Sequence, residues 1–181
     1  FNMMASAKES NRIVPANASI DKRSNGGKAR KNAILQKPEA TLQLIRNALN
    51  AGIKASYVLM DTWFTNEPFI ANILAEGLDV IGMLKDNKQY YIYKGKKYNL
   101  KQIGKLVSFH KPGDILFSIC VKTGKQNIPV KLVFVRNRNK RSEYIVLLST
   151  DCTLNSEEIV RTYGNRWAIE LFFRASKSLL D

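Results

Sequence analysis

The sequence predicts an α/β fold carrying a β-rich antiparallel insertion, on three observations. Helix-spaced apolar segments alternate with short apolar runs of strand type between residues 38 and 84. From about 86 to 150 the apolar runs are short and separated by turn signals, as antiparallel strands are. A long apolar segment of helical character then closes the chain.

Taken in order, residues 21 to 37 hold Lys22, Arg23, Lys28, Arg30, Lys31 and Lys37 around Asn25-Gly26-Gly27 and read as a flexible basic loop. Pro38 opens a helix to about Asn50, with Leu42, Ile45, Ala48 and Leu49 at helical spacing and Gly52 closing it. Ala55 to Met60 is strand-like and ends in Asp61. A second helix spans roughly Asn66 to Glu76, with Pro68 in its first turn and Gly77 after it. Leu78 to Leu84 is the next strand, a parallel neighbour of the first.

In the β-rich stretch, Gln89–Tyr93 and Lys97–Leu100 flank Lys94-Gly95-Lys96 as a hairpin. Ile115–Lys122 and Pro129–Arg136 flank a Thr-Gly-Lys-Gln-Asn turn, and Glu143–Ser149 is one more strand. The closing helix starts near Asn155, with Glu158 three residues on as a capping box. Gly164 inside it costs about 1 kcal/mol relative to Ala, which suggests a bend or a close approach of another molecule.

The chain has 181 residues, 45% of them hydrophobic, enough for a real core. Lys and Arg number 29 and Asp and Glu 15, a formal charge of +14. Such a balance predicts a polyanionic partner, with nucleic acid the default because phosphate neutralisation dominates affinity there. No apolar run approaches the ~18 residues of a membrane span, and no basic amphipathic anchor is visible, so a membrane partner is not expected. Cys120 and Cys152 read as free, buried thiols of a reducing cytoplasm. His110 is the single histidine, and there is no C-x-x-C, which argues against a zinc site and against His-based nucleophilic catalysis. Carboxylates are the remaining agents for chemistry.

The closing segment carries the sharpest pattern. On a helix, with Tyr163 at zero, Arg166 falls near −60°, Glu170 near −20° and Lys177 near −40°, so all four share one stripe. Ile159, Val160, Trp167, Ala168, Ile169, Leu171, Phe172 and Phe173 cover the rest, and a helix apolar on most sides is expected to be buried. The stripe has a bland reading, a wet face with an Arg166–Glu170 i,i+4 pair worth about 0.2–0.5 kcal/mol. Its other reading is a site, because charges on a buried helix must be paired, solvated or bound to a ligand.

This spacing, Y-x2-R-x3-E-x6-K, resembles the signature of a family of DDE transposases of bacterial insertion sequences, with all four positions matched. Tyr57-Val-Leu-Met-Asp61-Thr-Trp-Phe-Thr65 is similar to the segment that carries that family's second catalytic Asp. A β-rich insertion between that Asp and the Glu helix is a family feature as well. The resemblance implies an RNase H-like core at 1–85 and 151–181, interrupted by an insertion at 86–150. It implies that Asp61 and Glu170 are catalytic and bind metal, Mg2+ or Mn2+ as a substitute. It implies that Tyr163, Arg166 and Lys177 hold the DNA backbone at the transposon ends. The ordinary chemistry of these groups agrees, since Arg and Lys neutralise phosphate and a carboxylate binds Mg2+.

Two more residues beside the stripe have both readings. Arg174 is a phosphate contact or an ordinary surface Arg, and Trp167 is core or a base-stacking aromatic. Arg136, Arg138, Lys140 and Arg141 form a basic turn that could touch DNA. The implied partners are transposon-end and target DNA and, because family members act on paired ends, a homodimer. The implied location is the bacterial cytoplasm, on the nucleoid.

The chain departs from the family pattern upstream. Asp21, Glu9 and Glu39 are the carboxylates before Asp61, and Asp21 sits in a basic loop rather than a strand, so it is not taken as the first catalytic Asp. The opening Phe1-Asn-Met-Met reads like the middle of a domain, so a fragment without the first Asp, inactive alone, is expected. The alternatives are a decayed remnant that only binds DNA and another RNase H-like nuclease.

Overall fold

The computed structural model describes residues 19–86, 88–106, 113–137, 140 and 142–180. His110, Arg138, Arg141, Glu9 and the opening segment lie outside the described residues. The chain forms two compact units, residues 1–54 and 55–181.

The first unit contains α1 (Asn25–Ala33) and α2 (Lys37–Asn50). Helix α1 replaces the basic loop expected there. Its start is organised by Ser24, whose Oγ accepts from the Gly27 amide at 3.0 Å and donates to the Asp21 carbonyl at 2.6 Å. That cap offsets the poor helix propensity of Gly26 and Gly27, and Lys28-Ala-Arg-Lys then propagates the helix. Helix α2 has Pro in its first turn, as expected, and Gly52 follows it with φ +83°, a conformation that favours glycine.

The second unit is one mixed seven-stranded sheet in the order β1-β2-β7-β6-β5-β3-β4. The strands are β1 (Tyr57–Met60), β2 (Asp79–Leu84), β3 (Tyr91–Tyr93), β4 (Lys96–Tyr98), β5 (Ile115–Thr123), β6 (Pro129–Arg136) and β7 (Tyr144–Ser149). Strands β1 and β2 run parallel, joined through α3 (Glu67–Ala75). Every other pairing is antiparallel, and β2 hydrogen-bonds β7 directly, so the β-rich segment continues the same sheet. The result is an α/β fold compatible with the RNase H-like core that the sequence led us to expect.

Alternation along the strands assigns the faces. Ile81, Val133, Val135 and Leu147 turn to one face and pack with Ile159 and Tyr163 of α5 (Ser156–Gly164). Val80 and Gly82 turn to the opposite face, where α3 packs on β2 through the buried Phe69, Ile70 and Ile73. Each fully buried Ile, Leu or Val contributes about 1.5–3 kcal/mol relative to exposure.

Two further expectations change. Residues Leu100–Leu106 form a helix, α4, rather than extending the hairpin. Asn99 and Gln102 cap it reciprocally, the Gln102 amide to Asn99 Oδ1 at 2.8 Å and the Asn99 amide to Gln102 Oε1 at 2.9 Å. The two cysteines are free, as expected, but not buried: Cys120 is exposed and Cys152 half-exposed. Cys120 falls on an outward position of β5, a strand whose burial alternates.

Glu67, in the first turn of α3, is only 4% exposed. Its carboxylate accepts the amides of Lys125, at 3.0 Å, and Gln126 in the β5–β6 turn, and so bolts α3 to a turn 58 residues away. Its place at a helix N-terminus favours the negative charge.

Candidate active site

Asp61 follows the C-terminal end of β1, the end at which open α/β sheets bind ligands. Its Oδ1 accepts the amides of Trp63 at 3.0 Å and Phe64 at 3.2 Å, while its carbonyl accepts the Thr65 amide at 3.1 Å and the Thr65 hydroxyl at 2.6 Å. The side chain is thus held by its own turn. Thr65 is buried against β2, and that fit depends on Gly82 having no side chain: a Cβ there would come within 2.8 Å of Thr65 Cγ2.

Helix α5 brings the second half of the site. The capping box is formed, with the Glu158 amide to Asn155 Oδ1 at 2.8 Å and the Asn155 amide to Glu158 Oε2 at 3.1 Å. Helix α5 begins beyond the end of β7 and lies over the core face. Nine helical residues span about 13 Å, the length of a four-residue strand such as β1. Tyr163 therefore reaches the end of the sheet where Asp61 sits. There the helix is interrupted at Asn165, whose amide bonds the Thr162 carbonyl and whose carbonyl accepts from the Ala168 amide, both of the tight i,i+3 kind. The weak helix former Gly164 precedes this break, as its position suggested.

Helix α6 (Arg166–Leu180) continues past the strands. It has little packing beyond its junction with α5, and the expectation that it is buried does not hold. Trp167 is 59% exposed, and Ile169, Leu171, Phe172, Phe173 and Leu179 are all exposed. Trp167 is accordingly not a core residue. The apolar pattern is present, but the sheet ends before α6 begins.

The charges of Arg166, Asp61 and Glu170 all act on the Tyr163 hydroxyl. Burial pushes the hydroxyl pKa up; the Arg166 guanidinium opposes that shift, and the two carboxylates reinforce it. Tyr163 therefore stays a neutral donor at physiological pH. Arg166 lies over its ring, 5.7 Å from the centroid, and pairs with Glu170 through Nη1 and Oε1 at 2.7 Å. With the two side chains 25% and 41% exposed, that i,i+4 pair contributes only a few tenths of a kcal/mol, about 0.3–0.5. Two polar atoms here are buried without a hydrogen bond, Tyr163 Oη and Arg166 Nε. Orphaned donors of this kind suit an anionic ligand, such as a phosphate.

Tyr163, Arg166 and Glu170 thus lie side by side, and the charge of Asp61 reaches the Tyr163 hydroxyl. Arg174 and Lys177 are exposed on α6, about 6 and 10 Å further along its axis than Glu170. Between β5 and β7, Lys140 pairs with Glu143 at 3.2 Å, and Arg136 Nε reaches the Gly113 carbonyl at 3.5 Å. Among the described residues no group of three or more His, Cys, Asp and Glu gathers as a metal site. Asp61 and Glu170 are carboxylates, the donor type that suits a hard cation.

Two side chains were not singled out from the sequence. Trp63, two residues after Asp61, is 54% exposed and packs edge-on to Phe64 with centroids 4.7 Å apart. A large aromatic directly after a strand-end Asp was its only signal. Asp151 accepts the Tyr57 hydroxyl at 2.9 Å, which puts it at the start of β1, about 13 Å from Asp61 along the strand. It is therefore no third member of the site.

A family model described as the transposase DDE domain matches residues 28–181. No curated protein matches the chain. No helix among the described residues is long and apolar enough to cross a membrane.

Proposed function

The chain belongs to the transposase DDE-domain family, and we propose that it serves DNA transposition by metal-dependent cleavage and transfer of DNA strands. In this reading residues 1–85 with 151–181 are the RNase H-like catalytic core and 86–150 the insertion. What supports it is that the charge of Asp61, at the end of β1, reaches the buried Tyr163 hydroxyl of α5, beside which Arg166 and Glu170 of α6 form an ion pair.

Asp61 and Glu170 hold the divalent cation, Mg2+ or Mn2+. Bound with a second such ion, it would supply the two-metal chemistry in which one cation activates the attacking oxygen and the other stabilises the leaving one. The chain's own groups then do the following. Arg166 turns its orphaned Nε to a backbone phosphate, and Tyr163 donates to the same group from its neutral hydroxyl. Their placement orients the scissile phosphate against the two carboxylates. Lys177 and Arg174 meet the backbone further along α6, and the exposed rings of Trp63 and Trp167 offer stacking surfaces for an unpaired base. The DNA partner agrees with the +14 charge, and the bacterial nucleoid is where such DNA lies. A homodimer would pair the two ends.

One observation favours a second reading. Among the described residues no three carboxylates gather as a metal site, as expected of a remnant that merely binds DNA. The deciding experiment incubates the chain with labelled end and target DNA in Mg2+ or Mn2+. Joined products that require metal and vanish in Asp61→Asn and Glu170→Gln support the transposase reading. Salt-sensitive binding without cleavage supports the remnant where metal and Glu170→Gln leave it unchanged or improved, and a transposase core inactive alone where metal tightens it and Glu170→Gln abolishes that gain. Cleavage of RNA or branched DNA without joining points to another RNase H-like nuclease.

A further inference from the structure

Helices α1 and α2 face each other across a cleft of about 280 Å3, and the residues lining it are the wrong kind for a packed helix pair. From α1 come Asn25, Lys28 and Asn32; from α2 come Gln43 and Asn47. With Ala29 on α1, and Ala40 and Leu44 on α2, each set runs i, i+3, i+4, i+7, the stripe that a helix turns to its neighbour. In a packed pair that stripe is apolar. Here four of the side chains are amides, Asn25 and Asn47 exposed and Asn32 and Gln43 half-exposed. Ala29 and Ala40 are short and leave the space between the helices open, with Ala40 only 3% exposed at its floor.

An amide side chain presents a donor and an acceptor side by side. That arrangement matches a nucleobase edge, best of all adenine, whose N6 donates and N7 accepts. The volume suits one planar heterocycle rather than a larger ligand. Lys28 in the cleft wall, with Arg30 and Lys31 beside it on α1, supplies exposed positive charge for the attached backbone. Base edges of duplex DNA lie on the floor of a groove and are read by convex elements. A concave cleft instead takes a base that is out of the stack.

We propose that the α1–α2 cleft is a subsite for an unpaired nucleobase, adenine by preference, on a single DNA strand whose phosphates Lys28 and its basic neighbours hold. The proposal rests on DNA being the partner, as argued above. The test measures fluorescence anisotropy of the full chain with a labelled dA tract, a dT tract, an abasic strand and a duplex of equal length. The dA tract is expected to bind at least roughly fivefold tighter than the abasic strand, the low end for one good amide–base contact. Asn32→Leu with Gln43→Leu fills the cleft and abolishes that preference, leaving duplex binding unchanged. Asn47→Ala, at an exposed position, reduces the preference without touching the helix contact. Lys28→Gln weakens all strands alike and lowers the salt slope by about 0.7 on single strands. Equal affinity of the unaltered chain for the dA tract and the abasic strand, or a preference that survives Asn32→Leu with Gln43→Leu, overturns the subsite. If duplex binding persists in that case, the DNA partnership stands; if no DNA binds at all, both fall.

Discussion

Replacing Gly82 by alanine tests how the sheet holds Asp61. Gly82 is paired with Met60 on one side and Leu148 on the other, so its strand cannot retreat within the sheet. The added methyl meets Thr65 Cγ2 at 2.8 Å and comes closer still to Thr65 Oγ1, in a side chain only 3% exposed. The element free to move is the 61–65 turn, which holds Asp61. Overpacking of this kind costs about 1–3 kcal/mol, and the smaller entropy of an unfolded alanine chain returns about 0.4–1. The net loss is about 1–2 kcal/mol, which at this chain length lowers Tm by roughly 3–6 °C. Urea unfolding followed by far-UV circular dichroism and tryptophan fluorescence measures it, with Trp63 in the turn as a local reporter. Thr65→Ala alone loses the hydrogen bond to the Asp61 carbonyl, about 1 kcal/mol. The same change in the Gly82→Ala background also removes both clashing atoms, so the double variant is less destabilised than the sum by about 1 kcal/mol. Additivity within about 0.3 kcal/mol would refute the reasoning.

Three other outcomes follow from the same geometry. Asn155→Ala breaks the capping box of α5 and costs about 1 kcal/mol in urea unfolding, with faster amide exchange through the first turn that leads to Tyr163. Glu67→Ala removes the carboxylate that accepts the Lys125 and Gln126 amides and costs about 1.5–2 kcal/mol for the lost charge-assisted hydrogen bonds, and hydrogen exchange at those two amides accelerates. Asp151 has its pKa held below the ordinary carboxylate value, first by the Thr153 hydroxyl and amide and then by the Tyr57 hydroxyl. A depressed folded pKa adds stability above the unfolded pKa, about 3.9, and that stability is lost as the pH falls through the folded value. Asp151→Asn is thus less stable than the unaltered chain at pH 7, by at most about 1 kcal/mol for so exposed a group, and the difference shrinks as the pH falls through the folded pKa.

Much of the second unit was legible because its signals are local. Asn66, Pro68 and Gly77 bound α3, Lys94-Gly95 turns the β3–β4 hairpin with both residues at positive φ, and Asn155 with Glu158 starts α5. Helix α1 was hidden because Gly26 and Gly27 have the composition of a loop, and the Ser24 cap that overrides them is a single side chain. Helix α4 was hidden for a different reason: its Asn99–Gln102 box follows directly on a strand and covers only seven residues. The exposure of α6 was not legible, because apolar spacing shows what a helix can bury and not whether the sheet extends beneath it. Glu67 and Asp151 have partners 58 and 94 residues away, beyond any pattern in the chain. At the site, spacing put Tyr163, Arg166 and Glu170 on one stripe. What joins them to Asp61 is the match between the length of α5 and that of β1, which only the fold reveals.

The most direct test of the central claim is a Mn2+ titration of the chain, read from the free Mn2+ EPR signal, compared across Asp61→Asn, Glu170→Gln and Tyr163→Phe. If Asp61 and Glu170 share one cation, each of the first two substitutions weakens the same site at least tenfold, the scale on which even supporting groups of a metal site act. Tyr163→Phe, which removes a phosphate donor and no cation ligand, leaves the titration unchanged. Mn2+ affinity retained in either carboxylate variant contradicts the account.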